Sequence, residues 1–388
     1  MHRGPANQWL AIKTEAIARA HCQGSLLATP VITMLRPELL RYNRRRMRLE
    51  TQYEQAKVGI SPEARNEFRA LVSFCGIYKL DRTHIRLTGA DRVRWLNGMV
   101  TNNIRDLAID HGVYAFLLNP QGKIQADLYV FNRGESLVVE SDSTQIETIL
   151  QIFDRYIIMD EVEVEKLPST VIAFAGPACS KVLGRAGFPD TEKMQPLQVS
   201  ELQFGERKLR LVRGDNPSVP SYELCVGVEF AQQIWEALLQ AGAQETHADT
   251  CELFRVASGI PKFGVDIRQK DLPQETGQER ALNFNKGCYV GQEIVERIRS
   301  RGAVHRIFTG FEVEGAVPSP GFRIQHDGKD VAELTSVAIV PTAEGERALA
   351  LGYGRKEFMM PGKEYVSGET KMRVASLPFA DMAVGLPI

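Results

Sequence analysis

The octet KGCYVGQE, residues 286–293, concentrates the groups most able to do chemistry. Cys288 stands beside a lysine, between two glycines, ahead of a stretch that reads as the start of a helix. A basic neighbour and a helix N-terminus both favour the thiolate, the form that acts as nucleophile or metal ligand. Gly287 and Gly291 let backbone or ligand approach closely. The alternative is a small apolar side chain that only packs. Lys286 either lowers the thiol pKa or contacts an anion, or else is an ordinary solvated lysine. Glu293 suits the first turn of a helix through charge–dipole attraction alone.

A second candidate is Asp127, in the segment IQADLYVF beside the apolar Leu128 and Val130. A carboxylate in such a strand either has a partner or lies on the strand's wet face. Asn102 and Asn103 follow the segment DRVRWLNGMV and either reach a ligand or cap the chain there. Trp95 reads as core. His84, His111, His247, His305 and His326 are isolated in sequence and read as structural or solvent-facing.

The elements that must position these groups follow from periodicity. Residues 50–74 read as helical, with a break near Pro62. IYKLDRTHIRLTG alternates apolar and polar residues and predicts one strand. Asp91 is placed to cap the next helix, in which Val93, Leu96 and Val100 share a face. Residues 114–118 and 124–131 predict paired strands around the turn NPQGK. SLVVES, VEVEKL and TVIAFAG predict further strands, and STQIETILQIFDRYI an amphipathic helix. Strands interleaved with two-sided helices predict an α+β fold rather than a doubly wound sheet. Beyond residue 301 short strands divided by Gly and Pro turns predict a small β-barrel or sandwich.

Composition bounds the rest. A chain of 388 residues exceeds one ordinary hydrophobic core. The expected division is a basic extension over 1–48, a central region over 49–301 and a barrel over 302–388. The extension carries nine Lys/Arg against two Glu, and reads as a basic arm, a targeting segment or an upstream start. Hydrophobic and charged contents of 44% and 24% are those of a soluble globular protein. A net charge of -1 does not call for nucleic acid or an anionic membrane. Six scattered cysteines without a CxxC pair point to a reducing compartment, hence the cytoplasm, and assign no metal. No apolar run is long enough for a membrane span. No GxGxxG or GxxxxGK[ST] loop is present, so dinucleotide and phosphate-loop readings are weak.

Four segments carry a resemblance: residues 87–104 (LTGADRVRWLNGMVTNNI), 114–131 (YAFLLNPQGKIQADLYVF), 252–267 (ELFRVASGIPKFGVDI), and LPQE at 272–275 followed by NKGCYVGQEIVERIRSRG at 285–302. In this order they resemble the YgfZ-type folate-binding proteins, relatives of the aminomethyltransferase (T-protein) of the glycine cleavage system. The resemblance implies a three-lobed α+β fold with a ferredoxin-like portion and a C-terminal small β-barrel around a central channel. It implies tetrahydrofolate or a one-carbon derivative as ligand. For the cysteine-bearing branch it implies support of iron–sulfur enzymes, with those enzymes as partners and a monomeric chain.

By the same resemblance Cys288 and Asp127 are the reactive residues, and Glu223, Tyr222, Arg255, Asn102 and Lys286 contact the folate. Asp127 is similar in position to an aspartate near the reactive folate nitrogen, where a carboxylate can hold a proton or stabilise positive charge. Glu223, in PSYEL, would accept parallel hydrogen bonds from the pterin amino group and ring N–H. The run before it, RGDNPSVPSYEL, departs from the T-protein pattern GYTGE, which counts against aminomethyl transfer more than against pterin binding. Three functions stay open: a folate-binding accessory factor for iron–sulfur enzymes, a tetrahydrofolate-dependent aminomethyltransferase, and a scaffold that binds no folate.

Overall fold

The computed structural model describes residues 59–379 other than 189–190, 206 and 303. The basic extension over 1–48 and the first part of the helix expected over 50–74 lie outside the described residues. The remainder of that helix is α1 (Pro62–Ser73), which starts at the expected break. Pro62 occupies its first turn, where no N–H is needed, and the Ser61 hydroxyl accepts the Ala64 N–H at 3.1 Å.

The chain continues through β1 (Gly76–Leu80), β2 (Arg82–Thr88), α2 (Arg92–Met99), β3 (Gly112–Leu118), β4 (Ile124–Asn132), β5 (Leu137–Asp142), α3 (Ile146–Tyr156), β6 (Glu163–Leu167) and β7 (Ser169–Ala175). Then come α4 (Cys179–Arg185), β8 (Val199–Phe204), β9 (Arg207–Arg213), β10 (Ser221–Gly227), α5 (Ala231–Gln240), β11 (Gln244–Glu245) and α6 (Ala248–Ala257). Last are α7 (Gln292–Arg301), β12 (Arg306–Gly315), β13 (Arg323–His326), β14 (Lys329–Thr342), β15 (Gly345–Arg355), β16 (Glu364–Ser367) and β17 (Thr370–Ala375).

Three sheets organise these elements. The first has five strands in the order β3-β4-β5-β2-β6 and forms the ferredoxin-like portion. Helices α2 and α3 cover one face: Trp95, Leu96, Ile149 and Phe153 pack on Ile85, Ala126, Leu128, Val130 and Val139. Buried Ile146, Ile149 and Phe153 recur at helical spacing, as the amphipathic pattern of α3 requires. Asp91 precedes α2, but its side chain does not cap the helix. Its carboxylate instead accepts the Glu161 N–H at 3.0 Å and pairs with Arg94. The second sheet has the order β11-β1-β7-β10-β9-β8, with α4 and α5 packed on one face.

The single strand expected over IYKLDRTHIRLTG is two strands. β1 pairs with β7 in the second sheet, whereas β2 pairs with β5 and β6 in the first. Asp81 marks the crossing. The chain crosses again between β6 and β7 at Pro168, which has no N–H to give a continuing ladder. The two crossings lie side by side and form a seam. Beyond it the uncovered faces of the sheets meet, with Phe131 and Val138 packed against Val199 and Val212.

The third sheet, β13-β14-β15-β12-β17-β16, is a nearly closed barrel whose end strands approach one another. Phe311, Leu334, Met372 and Val374 are in its core. On the barrel's other side Phe68 and Leu71 of α1 and Phe254 of α6 pack against Val340, Leu349 and Leu351. The described residues from Ile60 onward form one compact unit, and none of their helices is long and apolar enough to cross a membrane.

Candidate functional site

Strand alternation decides which side chains look into the space between the first two sheets. In β4, Ala126, Leu128 and Val130 face the helices, so Asp127 and Tyr129 face the other way. In β10, Tyr222, Leu224 and Val226 are in the core under α4 and α5, so Glu223 and Cys225 face the first sheet. From the first sheet Arg82, His84 and Glu140 join them, with His84 and Glu140 directly opposite each other in the β2–β5 register.

Arg82 is the hub. Burial alone would lower its pKa, but Glu140, Glu223, Tyr129 and Asp127 act on its guanidinium electrostatically and hold it high. Its Nη1 lies 3.7 Å from Glu140 Oε1, and its side chain remains 24% exposed, so solvent or a ligand reaches it. Glu140 also binds His84 Nε2 at 2.9 Å. Burial alone would raise Glu140, yet the hydrogen bond and charge of His84, with Arg82, hold it below the usual carboxylate range. Glu223 goes the other way: burial, then the neighbouring Glu140 carboxylate, raise it. The two neighbouring carboxyls are thus pushed apart, Glu140 toward the ionised form and Glu223 toward the protonated one.

Asp127 is held on two sides. Its Oδ2 accepts the Tyr114 hydroxyl at 2.6 Å and its Oδ1 accepts the Gln145 amide at 2.6 Å. Burial raises the pKa of Tyr114 and keeps it a donor. Tyr129 donates to Asp215 at 3.1 Å, and Arg280 pairs with the same carboxylate. The Arg280 guanidinium lies 4.7 Å from the Tyr114 ring centroid and the Arg82 guanidinium 5.4 Å from the Tyr129 ring centroid. The result is a wall of two aromatic rings, each covered by a cation, with carboxyls at fixed positions beside them.

The motif loop is built differently from the sequence expectation. The Cys288 thiol is exposed and free. Lys286, two residues before it, is buried. Its ammonium donates to the carbonyls of Asn97, Val100 and Asn102 at 2.5, 2.6 and 2.8 Å. It is neither solvated nor offering its protons to an anion, but stitches the loop to the end of α2. The loop also docks on the β3–β4 turn. Gly291, at φ +84°, lies so close that a Cβ would sit 2.6 Å from the Asn119 carbonyl oxygen. Glu293 is exposed and pairs with Arg297 at 2.6 Å.

Three other candidates are committed elsewhere. Arg255 binds Glu252, the Ile260 carbonyl, Asp266 and Ser336, joining α6 to β14 of the barrel. Asn102 donates to the carbonyls of Tyr114 and Arg280, both at 2.8 Å. Tyr222 donates to the Thr191 carbonyl at 3.1 Å on the face of β10 opposite Glu223. Glu63, Glu67 and His247 bring possible ligand atoms within 4.8 Å of one another. Glu67 already binds the His247 ring at 2.5 Å, an ion pair that needs no metal.

Sequence reasoning missed Arg82, His84, Glu140, Asp215 and Arg280. A signal existed for Glu140, a charge inside the apolar run SLVVES, of the same kind that singled out Asp127. Asp215 lies in an irregular segment and Arg280 in a single 3-10 turn (Glu279–Ala281), where no periodicity tells which side chains converge.

The three-lobed α+β architecture, with a charged cleft between the ferredoxin-like sheet and its neighbour, defines the T-protein class of folds. The glycine cleavage system aminomethyltransferase T of Bartonella henselae superposes with a TM-score of 0.74 at 20% identity, over 82% of this chain and 90% of that one. Residues 42–286 match the GCVT N-terminal domain, and the chain belongs to that family. An aminomethyltransferase of Halothermothrix orenii is 24% identical over 338 residues, 81% of this chain and 90% of the relative. The tRNA-modifying protein YgfZ of Yersinia enterocolitica is 30% identical over 229 residues, 57% of this chain and 66% of the relative.

Proposed function

We propose that the chain binds tetrahydrofolate, or a one-carbon derivative of it, in the cleft between the first two sheets, and that it supports iron–sulfur enzymes through Cys288. The observation that carries the folate reading is that Asp127 of β4 and Glu223 of β10, from two separate lobes, face the same cleft. The donor set suits a reduced pterin. Glu223 offers a carboxyl to the amino and ring N–H edge, Tyr114 and Tyr129 supply apolar faces, and Arg82 and Arg280 suit the carboxylates of the folate tail. Bound tetrahydrofolate would supply the nitrogens that carry a one-carbon unit. Asp127, fixed by Tyr114 and Gln145, stabilises positive charge that develops beside it.

The exposed thiol of Cys288, on a loop pinned by Lys286, supports a role in contact with partner proteins. Aminomethyl transfer needs no thiol. The similarity to the tRNA-modifying protein YgfZ of Yersinia enterocolitica makes tRNA-modifying enzymes the first clients to test. The protein acts in the cytoplasm as a monomer on this reading. Calorimetry with tetrahydrofolate is expected to show one site, weakened at least tenfold in Glu223→Ala; no binding by the parent protein sinks the folate reading. Cys288→Ala is expected to keep folate binding and to lose support of iron–sulfur enzymes in cells. Full support by that variant removes the thiol from the function.

A second reading, tetrahydrofolate-dependent aminomethyl transfer, is favoured by the likeness to aminomethyltransferase T. Release of a one-carbon unit to tetrahydrofolate from an aminomethyl-lipoyl carrier protein in a purified system would establish it.

A further inference from the structure

We propose that Cys225 is a second reactive thiol, a thiolate that a small hydroperoxide oxidises to a sulfenic acid. It stands on β10 two residues beyond Glu223, on the same face. The Arg210 guanidinium donates to its sulfur at 3.2 Å. His84 Nδ1 lies 3.8 Å from the sulfur and 2.8 Å from the Ser169 hydroxyl, which fixes the ring. The other ring nitrogen binds Glu140 at 2.9 Å. Cysteine, imidazole and carboxylate are thus in line, with a guanidinium on the sulfur's other side. These groups line a narrow, open-mouthed crevice, with Phe131 and Val212 among its walls.

The surroundings of the other internal cysteines differ. Burial, and the adjacent Cys75 thiol, raise Cys179, and burial pushes Cys251 up to about 12. Burial alone would raise Cys225 too, but His84 and Arg210 bring it below the ordinary thiol value. Burial alone would lower His84, but the Cys225 sulfur and the Glu140 carboxylate raise it to about 10. The pair is a thiol favoured toward its thiolate and a proton donor held beside it, the arrangement that activates a sulfur nucleophile.

The step balances within these groups and the peroxide. The Cys225 sulfur attacks one peroxide oxygen, an S–O bond forms and the O–O bond breaks. The sulfur loses two electrons and the peroxide gains them. The departing oxygen takes the His84 Nδ1 proton and leaves as water or an alcohol. Glu140 holds the ring in place throughout, and His84 regains a proton from solvent. Cys225 is only 9% exposed, which favours hydrogen peroxide over bulky hydroperoxides as the oxidant.

The test needs no folate and is independent of the folate reading. The full chain carrying Cys288→Ser is exposed to hydrogen peroxide, then denatured in N-ethylmaleimide and mapped by peptide mass spectrometry. Cys225 is expected to lose alkylation at least ~10-fold faster than Cys251, reversibly by dithiothreitol, a rate gap equal to one pKa unit or more in thiolate fraction. Cumene hydroperoxide should leave Cys225 intact. Arg210→Met, at a half-buried position, should slow the reaction about tenfold with an unchanged circular dichroism spectrum. Should His84→Gln fail to fold, the parent rates and Arg210→Met decide. Oxidation of Cys225 no faster than Cys251, or at the parent rate in folded Arg210→Met, overturns the proposal.

Discussion

Arg255 Nη1 and Asp266 Oδ2 are 2.7 Å apart, and Asp266 is fully buried. Thr335 and Ser336 of the barrel also donate to Asp266, so one ion pair ties α6 to β14. Removing one partner of a buried pair leaves an uncompensated charge. Arg255→Met is expected to cost about 3 kcal/mol of stability, read by urea denaturation. An unchanged midpoint would show that water replaces the guanidinium at no cost.

The Lys286 ammonium holds three carbonyls that have no obvious alternative donor. In Lys286→Met those acceptors are stranded, at about 2 kcal/mol or more. Hydrogen exchange should rise over residues 285–291, while sheet amides stay protected. Unaltered exchange in the loop would mean that its position does not depend on the lysine.

Gly291 combines a positive φ with close approach to the Asn119 carbonyl. Gly291→Ala adds both a strained backbone and a clash, and about 2 kcal/mol is expected to be lost. Thermal melting measures it. A melting temperature equal to the parent's would show that the β3–β4 turn yields freely.

Glu223 has a pKa raised by burial and by Glu140, so the folded state keeps a proton that the unfolded chain releases. Stability from this group is full below the ordinary carboxylate pKa and falls as pH rises toward the raised value. Glu223→Gln carries the neutral form at every pH. It should remove a decline of ~1 kcal/mol or more between about pH 5 and about pH 9. Parallel stability curves for parent and variant would contradict the raised Glu223 pKa.

The C-terminal barrel, the ferredoxin-like helices and the strands around Asp127 were legible because burial imposes periods of two and 3.6 residues on the chain. The GCVT family relationship was legible in the segments 87–104, 114–131 and 252–267, all inside the matched residues 42–286. The sequence alone determined the α+β class, the amphipathic faces and the identity of the residues able to do chemistry. Only the tertiary structure decided which of them meet. The strand expected over 77–89 divides between two sheets because its two halves find different partners, β7 and β5. That division carries Arg82 and His84 to the seam, opposite Glu223 and Cys225. It also turned Lys286 and Arg255 into internal ties. The physical reason is that periodicity records which side of an element is buried, whereas a charge buried at a long-range contact is compatible only with the partner that neutralises it, and that partner lies elsewhere in the chain.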